Sequence, residues 1–223
     1  TKATSAYVMD AMSNKVLYEK NSNLRYGPAS MSKLMIIYMT FERLQNGSLK
    51  LDDELLVSRK AWKFGGSKMF VNIGDKVSIN DLLKGIIIQS GNDACIVLAE
   101  GLSGSEENMV DAINKKVKEL GLLNSNFTNV TGWPDKDHYM TARDIAHLSK
   151  LIIEVFPEYY YYFSLKSFTY NDIEQFNRNE LINLEGYDGL KTGRTTQAGF
   201  GLVVSKVKGD RRIISVVNGL NSN

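Results

Sequence analysis

The two ends of this sequence read as strands while its middle reads as helix, and that arrangement limits the fold more than any other feature. Residues 4–9 (T-S-A-Y-V-M) and 15–20 (K-V-L-Y-E-K) are strand-like and flank a polar stretch, 10–14, rich in turn formers, which predicts an N-terminal hairpin. At the far end A-G-F-G-L-V-V-S (198–205) and R-I-I-S-V-V-N (212–218) are β-branched runs around K-V-K-G-D and predict a second hairpin. Strands at both termini with helices between them imply one antiparallel sheet assembled from both chain ends and covered by an inserted helical lobe. The expected class is therefore α+β, with the lobe over roughly residues 48–140 and a cleft between sheet and lobe as the natural place for chemistry.

Between the hairpins the apolar pattern is helical. Residues 30–45 end at the stop signal Asn46-Gly47, 79–89 follow a capping-box pattern from Ser78 to Asp81, and 92–101, 105–120 and 141–154 continue the pattern. At 223 residues, 43% of them hydrophobic, the chain suits a single well-buried unit over 1–223 better than separate domains. The 27 basic and 25 acidic residues are spread along the sequence without a stripe or tail, which argues against nucleic acid or acidic membrane surfaces as partners. The longest apolar runs, 82–88 and 151–156, fall far short of the roughly 20 residues a spanning helix needs. Thr1 is not an initiator methionine, so an upstream segment has been removed or left out, which leaves room for a secretory signal without showing one. The single cysteine, Cys95, lies in A-C-I-V-L-A, permits no internal disulfide and reads as a buried thiol. The run Y-Y-Y-Y at 159–162 reads as packing and surface.

Chemistry enters at G-P-A-S-M-S-K-L-M-I-I-Y-M (27–39). If a helix begins near Ala29, Ser30 and Lys33 share one face a turn apart. A serine hydroxyl is a weak nucleophile until something takes its proton, and a lysine does so only when burial or a nearby cation lowers its pKa from ~10.4. Leu34, Ile36 and Ile37 supply such burial, and the helix N-terminus offers N–H groups to an oxyanion. The spacing alone is weak, because Ser205 and Lys208 repeat it on a strand running into a turn.

Two further motifs raise its value. S-G-N-D-A (90–94) falls at a break between two buried helical segments, where Ser90 and Asn92 are costly unless they face a cleft or cap a helix. Ser78-Ile79-Asn80 has the same spacing but reads as a cap. D-G-L-K-T-G-R-T (188–195) contains Lys191-Thr192-Gly193, expected to open a strand in which side chains alternate and the glycine lets a substrate backbone approach. Serine–lysine acyl transferases and β-lactamases are built from this trio. Competing constellations are thin: no serine has glycine at both −2 and +2, His138 and His147 read as structural, and without H-E-x-x-H or a cysteine pair neither a metal nor a cofactor is expected. The sequons at Asn126 and Asn129 read as incidental.

With G-G-S-K-M-F-V (65–71), 77–94, F-T-N-V-T-G-W-P-D (127–135), H-Y-M-T-A-R-D-I-A (138–146) and N-R-N (177–179), the whole chain resembles the D-alanyl-D-alanine carboxypeptidases, serine-type low-molecular-mass penicillin-binding proteins. The resemblance implies a DD-peptidase/β-lactamase-like fold and trimming of the terminal D-alanine from peptidoglycan pentapeptide stems outside the cytoplasm. It implies Ser30 as nucleophile, Lys33 as its base and Ser90 as proton relay. Asn92 would bond the substrate backbone, Lys191 would supply positive field, Thr192 would hold the terminal carboxylate beside Gly193, and the N–H groups of Ser30 and Arg194 would form the oxyanion hole. β-Lactams would acylate Ser30 and inhibit. Arg194 stands where the family more often has histidine, and Ser32 where threonine is common. The family continues beyond N-G-L-N-S-N (218–223) into a closing helix with a basic residue, and often into a β-rich domain and anchor, so membrane contact is expected only through such a segment. The alternatives are a β-lactamase of the same fold, with Glu154 or Glu158 serving deacylation, and a catalytically silent wall-binding module.

Overall fold

The protein, described here from a computed structural model covering residues 1–221, joins its two ends in one sheet. β1 (Ser5–Asp10) and β2 (Val16–Lys20) form the N-terminal hairpin. A 3-10 turn (Ala29–Ser32) leads into α1 (Lys33–Gln45). A short ribbon of β3 (Glu54–Leu56) and β4 (Lys76–Ser78) brackets α2 (Arg59–Lys63). Then come α3 (Ile79–Ile88), α4 (Asn92–Ser103), α5 (Glu106–Glu119) and α6 (Ala142–Val155), followed by a second ribbon of β5 (Ser167–Tyr170) and β6 (Ile173–Phe176). β7 (Tyr187–Thr195), β8 (Gly199–Lys208) and β9 (Arg211–Leu220) complete the chain.

The main sheet runs β2-β1-β9-β8-β7, with every neighbour antiparallel. Both terminal hairpins form as the sequence predicts, and β9 joins them, with Ser5 opposite Asn218 and Val203 opposite Val216. Lys191, Val203, Val216 and Tyr7 stand in one cross-strand row, so Lys191 shares the buried face of the sheet. α6 lies along that face and meets it edge-on through His147 against Tyr7.

α1 explains the core. Residues 33–41 (K-L-M-I-I-Y-M-T-F) are buried without interruption, so the first turns of this helix have no solvent face and must run through the middle, with the helix touching α4, α5 and α6. Phe41 stacks on Tyr159 and meets Phe156, Tyr162 and Phe163, which makes the tyrosine run largely packing, with Tyr161 half exposed. Ser78 caps α3 by accepting the N–H of Asp81, and Thr141 caps α6 by accepting that of Asp144.

Two expectations need correction. The Lys-Thr-Gly motif does not open a strand but sits in the middle of β7, where pairing with β8 extends the strand back through the turn-forming run 187–189. The middle of the chain is also less uniformly helical than its periodicity suggests, because two ribbons of three- and four-residue strands are too short to carry a readable period.

Candidate active site

Ser30 lies in the 3-10 turn before α1, with Lys33 as the first residue of the helix. In a 3-10 turn residues three apart eclipse, so the amine falls directly beneath the hydroxyl, at 2.8 Å. The turn is clamped from two sides. Gly132, at φ +81°, lies so close behind it that a Cβ there would collide with the Ala29 carbonyl. Gly193 packs on the other side, where a Cβ would come within 2.8 Å of Pro28 O and 3.2 Å of Ala29 Cβ. The missing side chain at Gly193 therefore lets the serine turn pack closely against β7.

Lys33 is fully buried. Its Nζ is 2.7 Å from Asn92 Oδ1 and 3.0 Å from the Ser90 carbonyl, two groups that only accept hydrogen bonds, and 3.3 Å from Ser90 Oγ. Asn92 Nδ2 donates to Gly65 O at 2.8 Å, which fixes the amide's orientation. A neutral amine satisfies the two obligate acceptors with its two hydrogens and has its lone pair left for the Ser30 proton. Burial pushes the Lys33 pKa down to about 8, and the charge of Arg178 acts in the same direction while Asp93 opposes it.

Ser90 and Asn92 occupy the break between α3 and α4, and Ser90 adopts the left-handed conformation at φ 65°. That conformation costs a non-glycine residue ~1–2 kcal/mol and is held here by the hydrogen bond from Lys33 to the Ser90 carbonyl. Lys191, as buried as Lys33, donates to Ser90 Oγ at 2.9 Å. Burial lowers its pKa, and the charges of Lys33 and Arg178 push the same way. Ser90 Oγ thus stands between two amines that oppose each other's protonation. Cys95, also buried nearby, has its thiol pushed up to about 12 by burial and stays neutral.

Ser30, Lys33, Ser90, Asn92 and Lys191 therefore form one hydrogen-bonded cluster drawn from three distant segments. Three predicted residues share β7 without joining it. The Thr192 hydroxyl makes no hydrogen bond among the described residues, Gly193 packs on the turn, and exposed Arg194 lays its guanidinium 4.7 Å over Phe200. β7 is an edge strand, so its outer side has no strand partner.

The sequence reading gave Asp93 no role, yet it organises the wall of the site. Its buried carboxylate accepts the N–H groups of Met69 and Phe70 at 3.0 Å, Val71 at 3.4 Å and Ala94 at 2.9 Å. It ties the loop 65–71 to the start of α4, where Ser67 O accepts the Asn92 N–H. An acidic residue in the first helical turn, directly after a polar break in an apolar run, was the available signal. His138 is buried, accepts the Thr128 N–H and is held neutral down to about 4 by burial, so it is structural. Glu154 pairs with Lys150, Glu158 accepts from Gln45, and among the described residues no carboxylate hydrogen-bonds Ser30, Lys33 or Ser90. A cavity of about 680 Å³ opens beside Ala29, lined by Tyr26, Trp133 and Tyr139 together with Arg25, Asp135 and Lys136. Among the described residues there is no cluster of metal-binding side chains and no helix long and apolar enough to cross a membrane.

A sheet closed by both chain ends, with a buried serine–lysine–serine cluster at the lobe boundary, defines the fold class of the DD-peptidases and penicillin-binding proteins. Penicillin-binding protein 5 of Haemophilus influenzae superposes with a TM-score of 0.95 at 40% identity, over 99% of this chain and 66% of that one. The carboxypeptidase DacD of Francisella tularensis gives 0.95 at 32%, over 100% and 67%. Penicillin-binding protein D2 of Listeria monocytogenes, solved in an ampicillin-bound form, gives 0.89 at 27%, over 99% and 90%. The chain belongs to the D-alanyl-D-alanine carboxypeptidase family, whose model matches residues 1–222. The carboxypeptidase DacC of Escherichia coli K12 is 45% identical over 95% of this chain and 55% of its own length, and DacF of Bacillus subtilis 41% over 99% and 58%. The chain thus spans little more than half the length of these relatives.

Proposed function

We propose that this chain is the catalytic domain of a serine-type D-Ala-D-Ala carboxypeptidase that trims the terminal D-alanine from peptidoglycan pentapeptide stems, outside the cytoplasm. The observation that carries the reading is the buried Lys33 amine 2.8 Å from Ser30 Oγ, with both of its hydrogens spoken for. Membership of the family and the names of the relatives support the substrate class.

Ser30 Oγ attacks the carbonyl of the penultimate D-alanine as its proton passes to Lys33 Nζ. The N–H groups of Ser30 and Arg194 hold the developing oxyanion, and losing one such donor costs ~3 kcal/mol. When the C–N bond breaks, Ser90 gives its proton to the departing amine and takes one from Lys33, leaving an acyl ester and free D-alanine. Water then attacks the ester, with Lys33 again accepting a proton. Lys191 and Thr192 attract the terminal carboxylate, and Asn92, with one Nδ2 hydrogen on Gly65 O, has the other for the substrate backbone. The cavity beside Ala29 takes the acyl side of the stem. A β-lactam presents a comparable carbonyl and carboxylate, but its leaving group stays tethered and obstructs the water, so it inhibits.

Glu154, paired with Lys150, and Glu158, accepting from Gln45, are engaged elsewhere, which weighs against a β-lactamase that uses either for deacylation, and the intact cluster weighs against a silent module. A fluorescent penicillin is expected to label the parent and not Ser30→Ala, to persist for minutes or longer, and a pentapeptide to release D-alanine. Rapid release of hydrolysed penicillin would assign the chain to the β-lactamases instead.

A further inference from the structure

The tripeptide Asn177–Arg178–Asn179 follows β6 and has no part in the chemistry above. Its hydrogen bonds nevertheless reach both segments that deliver the relay pair. The Arg178 N–H donates to Ile88 O at 3.3 Å, at the end of α3 and two residues before Ser90. Arg178 Nε donates to Gln89 Oε1 at 3.4 Å, one residue before Ser90. Asn179 Nδ2 donates to Gly189 O at 3.0 Å, two residues before Lys191. Asn177 holds the tripeptide in shape: its Oδ1 accepts the Asn179 N–H at 2.9 Å, while its own N–H and Nδ2 donate to Lys166 O and Leu165 O at 2.8 and 2.9 Å. Both asparagines are buried.

Arg178 and Asn179 thus bond the helical side of the cleft to the sheet side, each within two residues of Ser90 or Lys191, while Asn177 fixes the shape of the tripeptide between them. Between those anchors Ser90 Oγ and Lys191 Nζ stand 2.9 Å apart. Resting on the acyl-transfer reading, we infer that Asn177–Arg178–Asn179 is a positioning strap that sets the spacing of Ser90 and Lys191 and never touches substrate. A proton relay is sensitive to such spacing, since a shift of about 1 Å costs about 100-fold in rate. Arg178 adds a fixed positive charge beside both lysines, which favours their neutral forms.

The test is a double-mutant cycle on the penicillin acylation rate at saturation, using Asn179→Ala, Ser90→Ala and the double variant, with thermal melts as a check on folding. Asn179→Ala removes the donor to Gly189 O and is expected to slow acylation about 10- to 100-fold while leaving penicillin affinity within about twofold. In the Ser90→Ala background the same change is expected to cost nothing further, because the strap acts through that pair. Asn179→Asp, which removes the donor at constant volume, is expected to repeat the result. Additive losses in the double variant, unchanged acylation in the singles, or failure of both Asn179 variants to fold would each overturn the strap. A parent that penicillin does not acylate would refute the acyl-transfer reading beneath it, and that is tested first by the Ser30→Ala labelling.

Discussion

On the proposed acyl-transfer reading, the pH dependence of acylation follows from one amine. Lys33 is fully buried, and burial brings its pKa from the usual 10.5 down to about 8. At pH 7 about 10% of it is then free base, against about 0.03% for an unshifted lysine, a gain of roughly 300-fold in competent enzyme. Only the neutral amine can take the Ser30 proton, so raising the pH converts an inert ammonium into the base. The second-order acylation constant with a penicillin reports groups of the free enzyme. It is expected to climb about 50-fold between pH 6 and pH 8, as free base goes from about 1% to about half, and then to level off. Stopped-flow acylation at constant ionic strength from pH 6 to pH 10 gives the curve. A flat profile from pH 6 to pH 9, or one still rising tenfold per unit at pH 10, would refute a buried lysine base. Lys33→Ala is expected to remain folded and to lose acylation at every pH.

Asp93→Ala leaves the buried N–H groups of Met69 and Ala94 without their acceptor, at about 1–3 kcal/mol each, and urea denaturation should show a loss of at least about 2 kcal/mol. His138 has its pKa lowered to about 4 in the fold against 6.5 unfolded, so the unfolded chain binds the extra proton. Its contribution is complete above pH 6.5 and is lost as pH falls toward 4, by about 3 kcal/mol in all, and His138→Gln should flatten the urea midpoint over that range. Gly132→Ala puts a Cβ into the Ala29 carbonyl at φ +81°, and should lower stability by more than about 1 kcal/mol and suppress acylation because the Ser30 turn must move.

The hairpins and the capped helices were legible because each carries its own local signal: alternation around a turn, or an apolar stripe behind Ser78. The trio was legible because three motifs, of which Ser-x-x-Lys and Ser-x-Asn each recur elsewhere in the chain, occur together in one order at Ser30, Ser90 and Lys191. What the motifs could not reveal is which way each member faces. Gly193 turns its bare side to Pro28, and Asn92 spends its oxygen on Lys33, because backbone contacts between distant segments decide orientation. The ribbon β5–β6 had a readable cue, Asn171-Asp172 between S-F-T-Y and I-E-Q-F, both at positive φ as a two-residue hairpin loop demands. Asp93 stayed hidden because its partners are main-chain N–H groups, to which a sequence gives no address.

The strand order β2-β1-β9-β8-β7 puts β9, which follows every other strand of this sheet in the sequence, at its centre. Until β9 leaves the ribosome, the N-terminal hairpin has nothing to pair with on its inner edge, and the loop to be closed spans almost the entire chain. Ser30 precedes β9 by most of this domain, so the sheet that carries Lys191 closes long after the serine turn is made. On the acyl-transfer reading, covalent capture of penicillin therefore reports a sheet closed by β9, and a ribosome stalled before β9 should carry an unreactive serine.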